Sequence, residues 1–124
     1  MIDEFDEFSW FVGLYEGEGT LKIDKTAITL VISSTDKDVM ERSSRFLGTK
    51  VREIPRFNSD GTRKPYMPEH YKTKYESSKK GSVRKGKLIE LLMKMKPYLS
   101  ERRQKQLEDK ITIAKSKFQR TYLL

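Results

Sequence analysis

Residues Trp10 to Gly19, WFVGLYEGEG, follow a helical pattern that is apolar almost all the way round. Phe8, Phe11, Val12 and Tyr15 fall on one stripe, and Trp10, Gly13, Leu14 and Gly17 on another. A helix with no polar face is buried on both sides. In a small domain the remaining elements can cover one side. The side cleared of side chains at Gly13 and Gly17 admits another backbone at close range, and a second copy of the same helix about a two-fold axis satisfies it. The segment ends in Glu16 and Glu18, at the negative end of the helix dipole, where each carboxylate is unfavourable by about 0.3–1 kcal/mol. Two copies meeting at an axis gather four carboxylates, which take up protons or recruit a cation. A hard divalent ion such as Mg²⁺ fits oxygen ligands of this kind. The plain alternative is that both glutamates are solvated residues at a helix end.

The chain has 124 residues, enough for a single domain with one core spanning 1–124. It has no Cys and only one His, His70, which excludes disulfides and Cys- or His-rich metal sites. No apolar run approaches the roughly 18–20 residues of a membrane span, and the acidic start, MIDEFDEF, is unlike a signal or transit peptide. An intracellular protein without a membrane partner is expected. The net charge is +8, from 26 Lys and Arg against 18 Asp and Glu, which favours a polyanionic partner, most simply nucleic acid. Bases run through the middle of the chain, from Lys50 to Lys87.

Asp6 or Glu7 opens a first helix that runs to about Glu18 and stops at Gly19. Residues 20–24 and 27–33 alternate as strands joined by a tight hairpin. Ser34 or Thr35 caps a second helix with Asp36 and Asp38 in its first turn, and Gly48 ends it. Residues 49–57 form a third strand, 58–68 a loop and 69–77 a fourth strand, followed by a basic connector over 78–87. Leu88, Leu91, Leu92 and Met95 mark a third helix, broken at Pro97. Ser100 caps a fourth, which frays from Lys115. The order αββαββα(α) predicts an α+β fold: a four-stranded antiparallel sheet with helices on one face and the other face open.

Alternation assigns Leu21, Ile23, Ile28, Leu30 and Ile32 to the core face of the first hairpin. Lys22, Asp24, Thr29 and Ser33 then fall on the open face. Lys50, Arg52 and Arg56 of the third strand, and Lys72 and Lys74 of the fourth, join them. An antiparallel ribbon with this surface can enter the DNA major groove; an ordinary solvated sheet face is the competing explanation.

FVGLYEGEG, Phe11 to Gly19, resembles the nine-residue LAGLIDADG motif of homing endonucleases. Ser34–Gly48 resembles that family's second helix, and Lys94–Gln106 (KMKPYLSERRQKQ) its P-[YF]-L-x-x-K segment. The likeness implies the αββαββαα fold with a curved, saddle-like sheet. It implies a site-specific DNA endonuclease that hydrolyses phosphodiester bonds with Mg²⁺ or another divalent cation such as Mn²⁺. Glu18 takes the place of the metal-binding carboxylate, and the Gly17 carbonyl also touches metal. Arg102 stands where much of the family has a catalytic lysine, and Asp36 where a polar residue orders water, although an aspartate there can instead cap the helix. Trp10, Gly13, Leu14 and Gly17 match the helix–helix interface. A single motif implies a homodimer on near-palindromic double-stranded DNA. A non-cleaving module of the same fold, an intron-RNA splicing maturase or a transcriptional regulator, is the competing reading.

Overall fold

The computed structural model describes residues 6–55 and 73–122. It is α+β. Helix α1 (Glu7–Glu18) leads into strands β1 (Gly19–Asp24) and β2 (Ala27–Ser34), helix α2 (Lys37–Leu47), strands β3 (Arg52–Pro55) and β4 (Thr73–Ser82), helix α3 (Lys87–Met95), a 3₁₀ turn (Lys96–Tyr98) and helix α4 (Glu101–Tyr122). The four strands form one antiparallel sheet in the order β1-β2-β4-β3.

The first hairpin pairs Leu21 with Leu30 and Ile23 with Ile28, the register its alternation predicts. Its core-facing residues, with Ile32, meet Phe11, Val12 and Tyr15 of α1, Met40 and Leu47 of α2, Leu88 and Leu92 of α3, and Leu107, Ile111 and Ala114 of α4. Phe11 is fully buried and stacks on Phe46 at 4.7 Å between ring centroids, which ties α1 to α2. Burial of a side chain like Phe11 is worth about 1.5–3 kcal/mol.

Several element boundaries differ from the sequence reading. The capping residue of α2 is Asp36, not Ser34 or Thr35; its carboxylate makes no capping bond, and Ser34 Oγ instead accepts the Asp36 N–H at 3.0 Å. Gly48 does end α2, in the left-handed conformation at φ 73°, with its N–H bonded to Ser44 O. The ladder takes up β3 only at Arg52, so Lys50 precedes the strand. The predicted loop at 58–68, Arg56, and the start of the predicted fourth strand, including His70 and Lys72, lie outside the described residues. The basic stretch after Ser77 is a connector only over residues 83–86: β4 continues to Ser82, paired with β2 throughout, and α3 begins at Lys87. Nor does α4 stop near Lys115; it remains helical to Tyr122.

The β4 extension has specific anchors. Ser77 Oγ is buried against Ser44 Oγ and donates to Met40 O at 3.3 Å. Lys79 Nζ donates to Leu47 O at 2.8 Å, satisfying a carbonyl at the end of α2. A Cβ on Gly81 would lie 2.9 Å from Leu88 Cβ, so a small residue lets α3 approach the strand.

The junction of α1 and β1 is equally tight. A Cβ on Gly19 would lie 2.6 Å from Tyr15 Cε2 and 2.7 Å from Cγ of the buried Tyr15 ring. Gly19→Ala is therefore expected to destabilise the fold by about 1–3 kcal/mol through overpacking, visible as a lowered midpoint in thermal unfolding.

Candidate functional site at the acidic end of α1

The open face of the sheet can be read row by row from the register. Asp24, Ala27 and Ser82 form one row; Lys22, Thr29 and Lys80 the next; Thr20, Val31 and Ser78 the third; Ser33, Glu76 and Arg52 the fourth; and Lys74 with Ile54 the last. Lys22, Asp24, Thr29, Ser33, Arg52 and Lys74 thus share the face to which alternation assigned them. Lys80 and Ser78 belong there too, and were missed because the basic stretch carries none of the β-branched signal of a strand. Two ion pairs cross this face: Lys80 Nζ to Asp24 Oδ2 at 2.7 Å, and Arg52 to Glu76 at 3.9 Å. Both are solvent-exposed on at least one partner and contribute little to stability.

Glu18 is the last residue of α1. It directly precedes Gly19, whose pair with Ile32 is the end of the β1–β2 ladder, so it stands at the junction of α1 with the sheet. It is exposed, and no described residue bonds to its carboxylate.

The two glutamates of the motif have different surroundings. The Glu16 carboxylate accepts the Ser100 N–H at 2.7 Å and the Ser100 hydroxyl at 2.8 Å. Ser100 is also the residue whose Oγ accepts the Arg103 N–H and whose carbonyl accepts the Gln104 N–H, as a helix cap does. Glu16 is therefore unfavourably placed for its own helix and favourably placed for the next, since it sits at the positive end of α4. The backbone N–H of Ser100, followed by its hydroxyl and by Arg103 and Arg102, holds the Glu16 carboxyl below its ordinary value of 4.5. A depressed folded-state pKa gives stability that is present above the unfolded value and lost as pH falls through the folded one. Acidification below about pH 4.5 is expected to weaken the α1–α4 joint, and Glu16→Gln to flatten that part of the acid-unfolding curve.

α1 carries no basic residue in its last turn. Arg103 supplies the cation from α4. Its Nε donates to Glu16 O at 3.0 Å, one terminal nitrogen donates to Gly19 O at 2.7 Å, and the guanidinium lies 5.4 Å from the Tyr15 ring centroid. These bonds bracket Gly17 and Glu18 and satisfy carbonyls that a helix end leaves open. Arg102, the residue singled out from sequence, is exposed and lines a cleft of about 370 Å³ with Thr20, Arg103, Gln106 and Lys110. Neighbouring arginines point to different surfaces of a helix, and sequence alone does not say which one faces the tip. Asp36 sits at the other end of β2 from the hairpin turn, beside Ser34, exposed and without a capping bond.

On the outer side of α1, Gly13 and Gly17 are exposed and Leu14 is half-buried. A Cβ added at either glycine would meet nothing within 4 Å. A shallow cleft of about 360 Å³ adjoins Gly13, lined by Phe8, Ser9, Val12 and Tyr98, and Tyr98 is 70% exposed. Trp10 is half-buried, and the Arg42 guanidinium lies 4.2 Å from its ring centroid and holds Glu7 through bonds of 3.1 and 2.6 Å.

Among the described residues no three His, Cys, Asp or Glu gather into a cation-binding group. One chain offers Glu18 and the Gly17 carbonyl, an all-oxygen pair of the type hard divalent ions accept but short of the six ligands Mg²⁺ requires. No helix among the described residues is long and apolar enough to cross a membrane. No protein-family model matches the chain, and no curated protein is significantly similar to it.

Proposed function

We propose that the protein is a homodimeric, divalent-metal-dependent, site-specific DNA endonuclease of the LAGLIDADG type. The observation that carries this reading is the pair of unlike surfaces meeting at Glu18. On one side is an outer α1 face with two glycines whose missing side chains serve nothing within the single chain. On the other is an open sheet face bearing Lys22, Arg52, Lys74 and Lys80.

Two copies joined through Gly13, Leu14 and Gly17 would bring two Glu18 carboxylates and two Gly17 carbonyls to one axis, with water and phosphate oxygens to fill the remaining positions on a bound cation. A cation held there would stabilise charge on a phosphodiester and activate water. The two open faces would then lie in flanking grooves of one duplex, with lysines and arginines on phosphates and Thr29 and Ser33 near base edges. Arg103 acts indirectly in this reading, fixing the carbonyls on either side of Glu18, while Arg102 faces the cleft that a DNA strand would occupy. A partner of near-palindromic duplex DNA follows from the two-fold axis.

The competing reading is a non-cleaving module of the same fold that binds intron RNA or regulates transcription. The decisive experiment is incubation of the protein with a double-stranded DNA library and Mg²⁺. Discrete cut ends support the endonuclease. Retention of DNA without cuts, or preference for structured RNA, supports the module.

A further inference from the structure

The carbonyls at the end of α1 are not used alike. A helix leaves its last four carbonyls without partners of its own, and in α1 these belong to Tyr15, Glu16, Gly17 and Glu18. Tyr15 O accepts the Gly19 N–H. Glu16 O accepts Arg103 Nε at 3.0 Å, and Gly19 O accepts a terminal nitrogen of the same guanidinium at 2.7 Å. Among the described residues no donor reaches the Gly17 carbonyl. That carbonyl and the Glu18 carboxylate are therefore left open between two carbonyls that one arginine holds.

Arg103 is itself fixed. Its backbone N–H bonds to Ser100 Oγ at 3.2 Å, and Ser100 holds the Glu16 carboxylate through its own N–H and hydroxyl. The guanidinium lies 5.4 Å from the centroid of the buried Tyr15 ring, and its terminal nitrogen also donates to Gln106 Oε1 at 3.3 Å. These links close a ring from Glu16 through Ser100 and Arg103 back to Glu16. A planar guanidinium presents its donors in a rigid fork and can hold two carbonyls at a set spacing, whereas an ammonium on a flexible stem is a point charge that fixes neither. Charge and geometry act in opposite directions here. As a charge, Arg103 repels a cation at Glu18; as a clamp, it readies the oxygens that would receive one.

We propose that Arg103 is the positioning residue of the cation site: by clamping Glu16 O and Gly19 O it fixes the Gly17 carbonyl and the Glu18 backbone between them, and so sets the affinity of the site for a divalent ion. The proposal rests on the endonuclease reading and adds a residue that acts without touching the ion. Loss of a group that orients metal ligands typically lowers metal affinity by about 10–100-fold. Removal of the Arg103 charge by itself would raise it, so the sign of the change separates the two roles.

The test titrates Mg²⁺ into the ¹⁵N-labelled full chain, alone and saturated with a mixed-sequence duplex, and follows the amide signals of Gly17, Glu18, Gly19 and Thr20. The variants are Arg103→Lys, which keeps the charge and loses the fork, and Arg103→Gln, which loses the charge as well. Lys105→Gln, which removes an exposed α4 charge paired only with Asp109, controls for general electrostatics, and Glu18→Gln for the site itself. Signals from the rest of the sheet and core report that each variant is folded, and with two Arg103 variants the comparison survives the loss of one. The expected result is Mg²⁺ affinity at these amides weaker by about 10–100-fold in both Arg103 variants and unchanged in Lys105→Gln. Affinity equal to the parent's in a folded Arg103→Lys, even with a lowered thermal midpoint, makes the clamp purely structural and overturns the proposal. Tighter binding by Arg103→Gln overturns it too, since charge would then outweigh geometry. In both cases the endonuclease reading stands if Glu18→Gln abolishes the shifts. Absence of Mg²⁺-dependent shifts in the parent, or their persistence in Glu18→Gln, overturns the metal site and the proposal with it.

Discussion

Replacement of Glu18 by glutamine is expected to leave DNA binding intact and to remove metal-dependent cleavage, by about 10³-fold or more. The substitution keeps the size of the side chain and removes its charge. Glu18 is exposed and no described residue bonds to it, so the fold does not depend on it. The proposed function does. A metal poised on a phosphodiester contributes several kcal/mol of charge stabilisation, and each 1.36 kcal/mol is about tenfold in rate. An amide oxygen ligates hard cations much less well than a carboxylate. In the proposed complex the sheet cations hold the DNA, so anisotropy with duplex DNA should change little. The matched variant Glu16→Gln separates the two acids of the motif. It breaks the charge-assisted bonds to Ser100 and loosens the α1–α4 joint, yet it leaves the Glu18 carboxylate in place. A pattern in which Glu18→Gln still nicks DNA with Mg²⁺, while Glu16→Gln does not, would move the metal site to the other glutamate.

How far the sequence predicts the structure depends on which force dominates each segment. The first hairpin is legible because Leu21, Ile23, Ile28, Leu30 and Ile32 must all face the core, and a slip of one residue would turn every one of them to water. The second half of β4 is not legible. Ser78, Lys79, Lys80, Gly81 and Ser82 have poor strand propensity, and pairing with β2 together with the Lys79–Leu47 and Gly81–Leu88 contacts overrides it. Those contacts lie more than 30 residues apart for Lys79 and Leu47, beyond the reach of local pattern. The candidate site divides in the same way. Glu18 is visible because a carboxylate at the wrong end of an apolar helix stands out on its own. The Arg103 clamp and the Glu16–Ser100 cap each join residues more than 80 apart, so only the folded chain reveals that Glu16 serves α4 and that Arg103, rather than Arg102, reaches the tip of α1.

The second large effect concerns the outer face of α1, and its force lies in two opposite signs from one substitution. Within a single chain Gly13 and Gly17 are helical, exposed, and free of any atom within 4 Å of an added Cβ. Glycine in a helix interior costs about 0.5–1 kcal/mol relative to a good helix former. The double variant Gly13→Leu/Gly17→Leu should therefore make the isolated subunit as stable as the parent or more so, with an unchanged or raised thermal midpoint at protein concentrations where the parent is monomeric. In the proposed dimer the same positions face the partner's backbone at close range, where two leucines cannot be accommodated without driving the helices apart. Sedimentation should then show a monomer where the parent is a dimer, and double-strand cleavage should fall to background, because neither Glu18 retains its counterpart across the axis. Destabilisation of the monomer would mean that the glycines serve this chain's own packing. A stable, dimeric, cleaving double variant would place the interface elsewhere. Stability gained together with assembly and activity lost is the one combination that a glycine face reserved for a second copy of the helix requires.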